Sequence, residues 1–188
     1  MPPGTLGVRR DRGPTFDIGR RRAGGHAVHQ RPSTEYQRAR RGEATILFNH
    51  RSRTHSARML KKMSLIPEGG RNQELADEHR LRSSEGEYFS QAYARLHRHG
   101  IAQTITTYFH NPGSGRFTHY RDLRALTVRE AARIQSFDDA FILTGKLEQQ
   151  MRHIGNAVPV LMAKAIADQC ASLLREAQIN ALAAAAEG

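Results

Sequence analysis

The chain has 188 residues, with 29 Lys or Arg against 18 Asp or Glu, a formal net charge of +11 and a sequence pI near 10.8. That length suits one domain of ordinary size, and at 38% hydrophobic residues a single core filling the whole chain is not expected. One cysteine excludes an intramolecular disulfide framework and a Cys-based zinc site, no run approaches 18 uninterrupted apolar residues, and the basic balance makes a polyanion the first partner to expect.

The excess charge is concentrated. Residues 1–41 hold ten Arg and no Lys against Asp11, Asp17 and Glu35, together with six Gly and four Pro. Residues 1–34 are expected to be disordered, because so few apolar side chains cannot offset the entropy of ordering. Such a segment is either a basic arm that holds phosphates or a solvated tail. From Ile46 to Lys62 the chain reads ILFNHRSRTHSARMLKK, with no acid until Glu68. Arg51, Arg53, Arg58, Lys61 and Lys62 sit there among Asn49, Ser52, Thr54 and Ser56. Cations beside short hydroxyl and amide side chains suit phosphate oxygens and base edges together. A solvated helical face would have a similar composition. Pro67-Glu68-Gly69-Gly70 then breaks the chain, and residues 71–87 read as a polar loop.

His99-Gly100 reads as a turn between two short strands. Gln103 to Phe109, rich in Thr, Ile and aromatics, reads as a strand. The run from His110 to Gly115, HNPGSG, is a loop. Thr127-Val128-Arg129-Glu130 has the form of a capping box, which predicts a short helix ending near Phe137. Val158, Leu161, Met162, Ala165, Ile166, Cys170, Leu173, Leu174 and Ala177 recur at helical spacing and predict one long helix with an apolar stripe. Its start is expected at Gly155-Asn156, with Asn156 as cap, Pro159 in the first turn and amides open to a polar ligand. Cys170 is expected to be a small buried hydrophobe, and residues 181–186 to fray.

Several catalytic patterns are absent: G-x-G-x-x-G, a Walker loop, H-E-x-x-H and a nucleophile elbow. His97, His99, His110 and His119 alternate with Arg and loop residues, so they do not read as a metal set.

The run from Arg124 to Phe137, RALTVREAARIQSF, resembles the ninth conserved block of DNA (cytosine-5) methyltransferases. Ile154 to Pro159, IGNAVP, followed by an apolar helix, resembles their tenth block. Upstream, FNHRSRTHSARMLKKMSLIPEGG and RLHRHGIAQTITTYFHNPGSGRF resemble the target recognition region of bacterial members. The resemblance implies a bilobal enzyme that grips duplex DNA and flips a cytosine from the stack. A cysteine thiolate adds to carbon 6, a glutamate assists at the ring nitrogen, and carbon 5 takes the methyl group of S-adenosyl-L-methionine. It further implies that Asn156, Ala157 and Val158 lie on the cofactor side, and that Arg129, Glu130 and Arg133 organise the recognition region. Thr104-Ile105 corresponds to the pair that members place near the flipped base. With that pair, the expected DNA-binding set is Asn49, Arg51, Arg53, Arg58, Lys61, Lys62, Thr104 and Ile105.

The sequence also departs from the family pattern. It has no Pro-Cys, no Glu-Asn-Val and no glycine-rich cofactor block. Phe137 to Phe141 reads FDDAF without the usual proline, and Met151 and His153 replace common Tyr and Gln. The expectation is therefore the C-terminal part of such an enzyme, an α+β fragment with no catalytic residue and no metal of its own. Residues 35–123 would form a small β-containing target recognition region. Residues 124–188 would carry the two blocks, with a short helix and a long C-terminal helix that packs on an absent S-adenosylmethionine-dependent Rossmann-like lobe. The expected role is DNA target recognition plus one wall of the cofactor pocket. The alternatives are a stand-alone basic DNA-binding module or a truncated remnant. Expected partners are double-stranded DNA and a separate chain carrying the catalytic lobe, with no membrane. The expected setting is the bacterial cytoplasm, in a restriction-modification context.

Overall fold

The structure, a computed structural model, describes residues 26–27, 31–75 and 92–186. Most of the basic opening segment and most of the polar loop expected at 71–87 lie outside the described residues.

The described chain is a small α+β unit. Strand β1 (His26–Ala27) pairs antiparallel with β2 (Ile46–Leu47), His26 opposite Leu47 and Ala27 opposite Ile46. Between them lies helix α1 (Glu35–Arg41), with the Thr34 hydroxyl accepting the Gln37 amide at 3.1 Å. Glu35 in the first turn and Arg38, Arg40 and Arg41 in the last complement the helix dipole. Apolar periodicity does not reveal α1, because it buries no residue. It is tied down by polar groups instead. The Tyr36 hydroxyl donates to the Arg133 carbonyl, and Arg40 donates to the Ser136 carbonyl at 2.8 Å and pairs with Asp138 at 2.9 Å.

Helix α2 (Ala57–Ser64) starts on Ser56, whose hydroxyl accepts the Met59 amide at 3.3 Å. It turns Met63 inward, and Ile66 follows it into the interior. Buried Arg95 closes this side by donating to the carbonyls of Met63 (2.7 Å), Ile66 (2.8 Å) and His119 (3.2 Å). Three backbone carbonyls thus satisfy a charge that would otherwise be costly to bury.

Helix α3 (Val128–Ile134) carries the expected reciprocal cap. The Thr127 hydroxyl accepts the Glu130 amide at 3.1 Å, and the Glu130 carboxylate accepts the Thr127 amide at 2.8 Å. The helix stops short of Phe137 because Ser136, at φ +60°, turns the chain into the left-handed region. Helix α4 (Leu147–Asn156), which the sequence reading did not anticipate, packs on α3. Ala131 and Ala132 let it come close, and Met151 and Ile154 fill the gap. Ile105, Phe109, Phe117, Leu126, Val128 and Leu143 complete the main core.

Two expectations fail here. Gln103 to Phe109 is not a strand: the Thr106 hydroxyl and carbonyl accept the amides of Tyr108 (3.3 Å) and Phe109 (3.2 Å), which bends the chain into a turn. The strands expected around His99-Gly100 reduce to isolated bridges, Arg95 with Thr118 and Thr118 with Ala125. The second failure concerns the long helix, α5 (Val160–Ala186). Asn156 does not cap it, because Asn156 is the last residue of α4. Pro159 stands just before α5, and its carbonyl accepts the Ala163 amide at 2.9 Å.

Helix α5 leaves its apolar stripe in solvent, with Leu161 46% and Leu174 65% exposed. Cys170 is exposed with it, contrary to expectation, because no other described element covers that face. By length and composition α5 is also apolar enough to cross a membrane, although the sequence reading excluded a span. The alanine content raises its mean hydropathy despite the interruptions. Arg175 and Glu176 interrupt it, and each would be costly in hydrocarbon.

Candidate functional site

The basic stretch is held at both ends by histidines. His50 Nδ1 lies 3.1 Å from the Thr127 hydroxyl, and His55 Nε2 accepts the Ala125 amide at 3.0 Å. Both contacts land on the segment leading into α3. Residues 51–54 run between these two anchors without regular secondary structure and leave Arg51 and Arg53 exposed. Helix α2 continues the surface with exposed Arg58 and Lys61. Lys62 is half-buried, its ammonium 5.4 Å from the centre of the Tyr93 ring. Sequence reading counted His50 and His55 only as part of a basic run. Their role as staples depends on partners some 70 residues away.

Asn49 does not join this surface. It is 3% exposed and held at φ +62°. Its amide nitrogen donates to the Leu143 carbonyl at 2.7 Å and to Gln150 Oε1 at 3.0 Å, and its oxygen accepts the Leu143 amide at 3.0 Å. Arg129 lies beside it, fully buried, and donates to the carbonyls of Phe48 (3.0 Å), Asp138 (2.9 Å) and Phe141. Burial lowers the Arg129 pKa, and the nearby Asp139 charge opposes that. An expected DNA contact is thus a hub joining β2 to α3 and α4.

The segment before α3 is a compact charge network. Arg124 makes a bidentate pair with Glu130 at 2.7 and 2.8 Å and reaches Asp122 at 2.9 Å. Burial pushes the Glu130 pKa up, but the hydrogen bonds and charge of Arg124 and the Thr127 amide outweigh it and pull it down to about 2. His119 Nδ1 accepts the Asp122 amide at 3.0 Å, so its neutral form fits the fold. Burial lowers the His119 pKa accordingly. Arg133 pairs with Asp139, Nε to Oδ1 at 2.8 Å. Arg129, Glu130 and Arg133 thereby tie α3 to the loops on either side of it.

The Thr104-Ile105 pair splits. Thr104 is exposed, whereas Ile105 is 6% exposed and belongs to the core. The second candidate region is the α4–α5 junction. Asn156 and Val158 are exposed there, and Ala157 is half-buried. The amides expected to be open at the start of α5 are taken. Val160 donates to the Gln135 carbonyl at 3.1 Å and Leu161 to the Ser136 hydroxyl at 3.0 Å. The Gln135 side-chain amide also donates to the Ile154 carbonyl, so the end of α3 supports both helices at the junction. Periodicity gave no signal for this support.

Residues 26–172 match the family model described as C-5 cytosine-specific DNA methylase. The chain belongs to that family. It is 35% identical over 159 residues to the type II methyltransferase M1.HphI of Haemophilus parahaemolyticus, covering 79% of this chain and 40% of that protein. It is 32% identical over 152 residues to the type II methyltransferase M.DdeI of Desulfomicrobium norvegicum, covering 73% of this chain and 36% of that protein. Its fold resembles that of a prophage-encoded DNA modification methyltransferase of E. coli, with a TM-score of 0.56 and 18% identity over 81% of this chain and 41% of the other. The chain thus spans well under half the length of these methylases.

Proposed function

We propose that this chain provides DNA target recognition and one wall of the S-adenosyl-L-methionine pocket for methyl transfer to carbon 5 of cytosine. The observation that carries this reading is the row of exposed cations, Arg51, Arg53, Arg58 and Lys61, held on a stapled edge. Exposed guanidinium and ammonium groups on one edge suit duplex phosphates. Lys62 and exposed Thr104 are read as further DNA contacts, while Ile105 anchors Thr104 in the core and Asn49 fixes the edge from inside. In this reading residues 35–123 carry recognition and residues 124–188 carry the two conserved blocks.

The cofactor would meet this chain at Asn156, Ala157 and Val158. An exposed amide next to two small apolar side chains fits part of a nucleoside and amino-acid ligand, and the open junction offers one wall rather than an enclosure. When bound, S-adenosyl-L-methionine supplies the methyl group. This chain's residues orient the duplex and bound that wall. The 188 residues contain no Pro-Cys, and none of them is read as the nucleophile. The exposed face of α5 is where a cofactor-binding lobe would rest, and the setting read for it is the bacterial cytoplasm.

The test mixes the full chain with a polypeptide carrying the portion of M1.HphI that this chain does not cover and follows labelled methyl groups into duplex DNA. Transfer well above that of either component alone is expected. Transfer no greater than the partner's own would count against the reading. The same exposed cations also favour a second reading, a stand-alone DNA-binding module. That reading predicts salt-sensitive duplex binding without any effect on the partner's methyl transfer.

A further inference from the structure

The last turn of α4 meets the Thr106–Thr107 backbone with no side chain between them. A methyl group built on Gly155 would overlap the backbone nitrogen and Cα of Thr107 and lie 2.6 Å from the Thr106 carbonyl carbon. Gly155 has an ordinary helical backbone, so conformation does not require glycine there. The close approach does. Backbone cannot swing aside as the end of a flexible side chain can, so any Cβ at 155 displaces either the helix end or the turn.

The neighbours on both sides give this contact its meaning. Two residues before Thr106 stands exposed Thr104, and Ile105 between them is locked in the core. Immediately after Gly155 come Asn156, Ala157 and Val158. On its far side the junction is held by Gln135 and Ser136, which bond to Ile154, Val160 and Leu161. The junction therefore has support from α3 on one side and from the Thr106–Thr107 turn on the other.

We infer that Gly155 is a positioning residue, a backbone-to-backbone strut that fixes the target-base side at Thr104 relative to the cofactor side at Asn156–Val158. This rests on the reading of those two segments given above. It adds that they move as one body and that binding at one is felt at the other. Displacements of about 1 Å at a reacting centre can cost on the order of 100-fold in rate, so a strut of this kind matters.

The first experiment uses the full chain alone and follows amide hydrogen exchange in wild type and Gly155→Ala. Exchange should accelerate at least about tenfold at both 108–109, whose amides bond to Thr106, and 154–157, with little change at the α3 cap over 127–130. Acceleration confined to 154–157, or spread equally over the cap, would overturn the inference. If Gly155→Ala does not fold, the wild-type chain supplies the test through the denaturant dependence of exchange. Segments 108–109 and 154–157 opening with one common slope support the strut, and independent slopes overturn it. The second experiment uses the mixture with the catalytic polypeptide. Gly155→Ala should raise KM for S-adenosyl-L-methionine and for duplex together. A fall in kcat with both KM values unchanged, as loss of folded protein alone would give, overturns it. Absence of methyl transfer with wild type would reject the proposed function and leave the exchange result to judge the strut.

Discussion

Asn49 and Arg51 lie two residues apart and do opposite things. Asn49 is buried and spends its amide on Leu143 and Gln150, while Arg51 points into solvent. Asn49→Ala should destabilise the chain by about 1–3 kcal/mol in denaturant melts, because Leu143 and Gln150 lose buried partners. The salt dependence of duplex binding should be unchanged. Arg51→Ala or Arg53→Ala should leave the melt within about 0.5 kcal/mol. Each should reduce the log–log salt slope of duplex binding by about 1.

Acid sensitivity belongs to the same scale. His55 and His119 both accept backbone amides and both have pKa values lowered by burial, His55 further by Arg53 and His110. Around His119, Glu130 and Asp122 oppose the shift, while Arg124 and Arg121 add to it. A lowered folded pKa means that the unfolded chain binds protons first. The stabilisation is then full above about 6.5 and is lost as pH falls from there through the folded pKa values. Glu130, lowered to about 2, adds a second loss as pH falls from the ordinary glutamate range toward 2. Melting temperature should therefore decline between pH 7 and 5. In His55→Gln, which keeps an acceptor but does not titrate, that decline should be shallower.

At the level of elements, the helices differ in what holds them. Helix α3 rests on its reciprocal cap, so Thr127→Ala should cost about 1–2 kcal/mol, with the Glu130 amide left unpartnered. Helix α4 rests on burial. Met151→Ala at its centre should cost about 2–5 kcal/mol. Among the described residues, helix α5 is held at its first turn, by Gln135 and Ser136. Leu174→Ala should leave the lone chain's melt within about 0.5 kcal/mol, and a larger loss would show that α5 is already covered.

For the whole molecule, a long helix whose apolar stripe is uncovered among the described residues belongs to a chain of net charge +11. Stripes of this kind drive association. Light scattering of the isolated chain should rise with concentration, and Leu173→Lys together with Leu174→Lys should suppress the rise. Mixing with the catalytic polypeptide should suppress it too, if that polypeptide covers α5.

What the sequence determined by itself was mostly local or family-wide. The Thr127–Glu130 cap lies within four residues, and the α5 periodicity within a few turns, so both were legible. The likeness to the family was legible in the residue strings Arg124–Phe137 and Ile154–Pro159. Helices α1 and α4 were not, since neither shows a long apolar stripe and both are fixed by groups far along the chain, such as Tyr36 on Arg133. Likewise no local pattern could show that Asn49 is buried, that His50 and His55 are staples, or that Asn156 ends one helix instead of starting the next. The Asn49, His50 and His55 roles depend on polar groups that meet across about 70 to 100 residues, and the Asn156 junction on Gln135 and Ser136 some 20 residues upstream. Only the tertiary structure decides that, because a hydrogen-bonding side chain has the same composition whether its partner is water, DNA or a buried carbonyl.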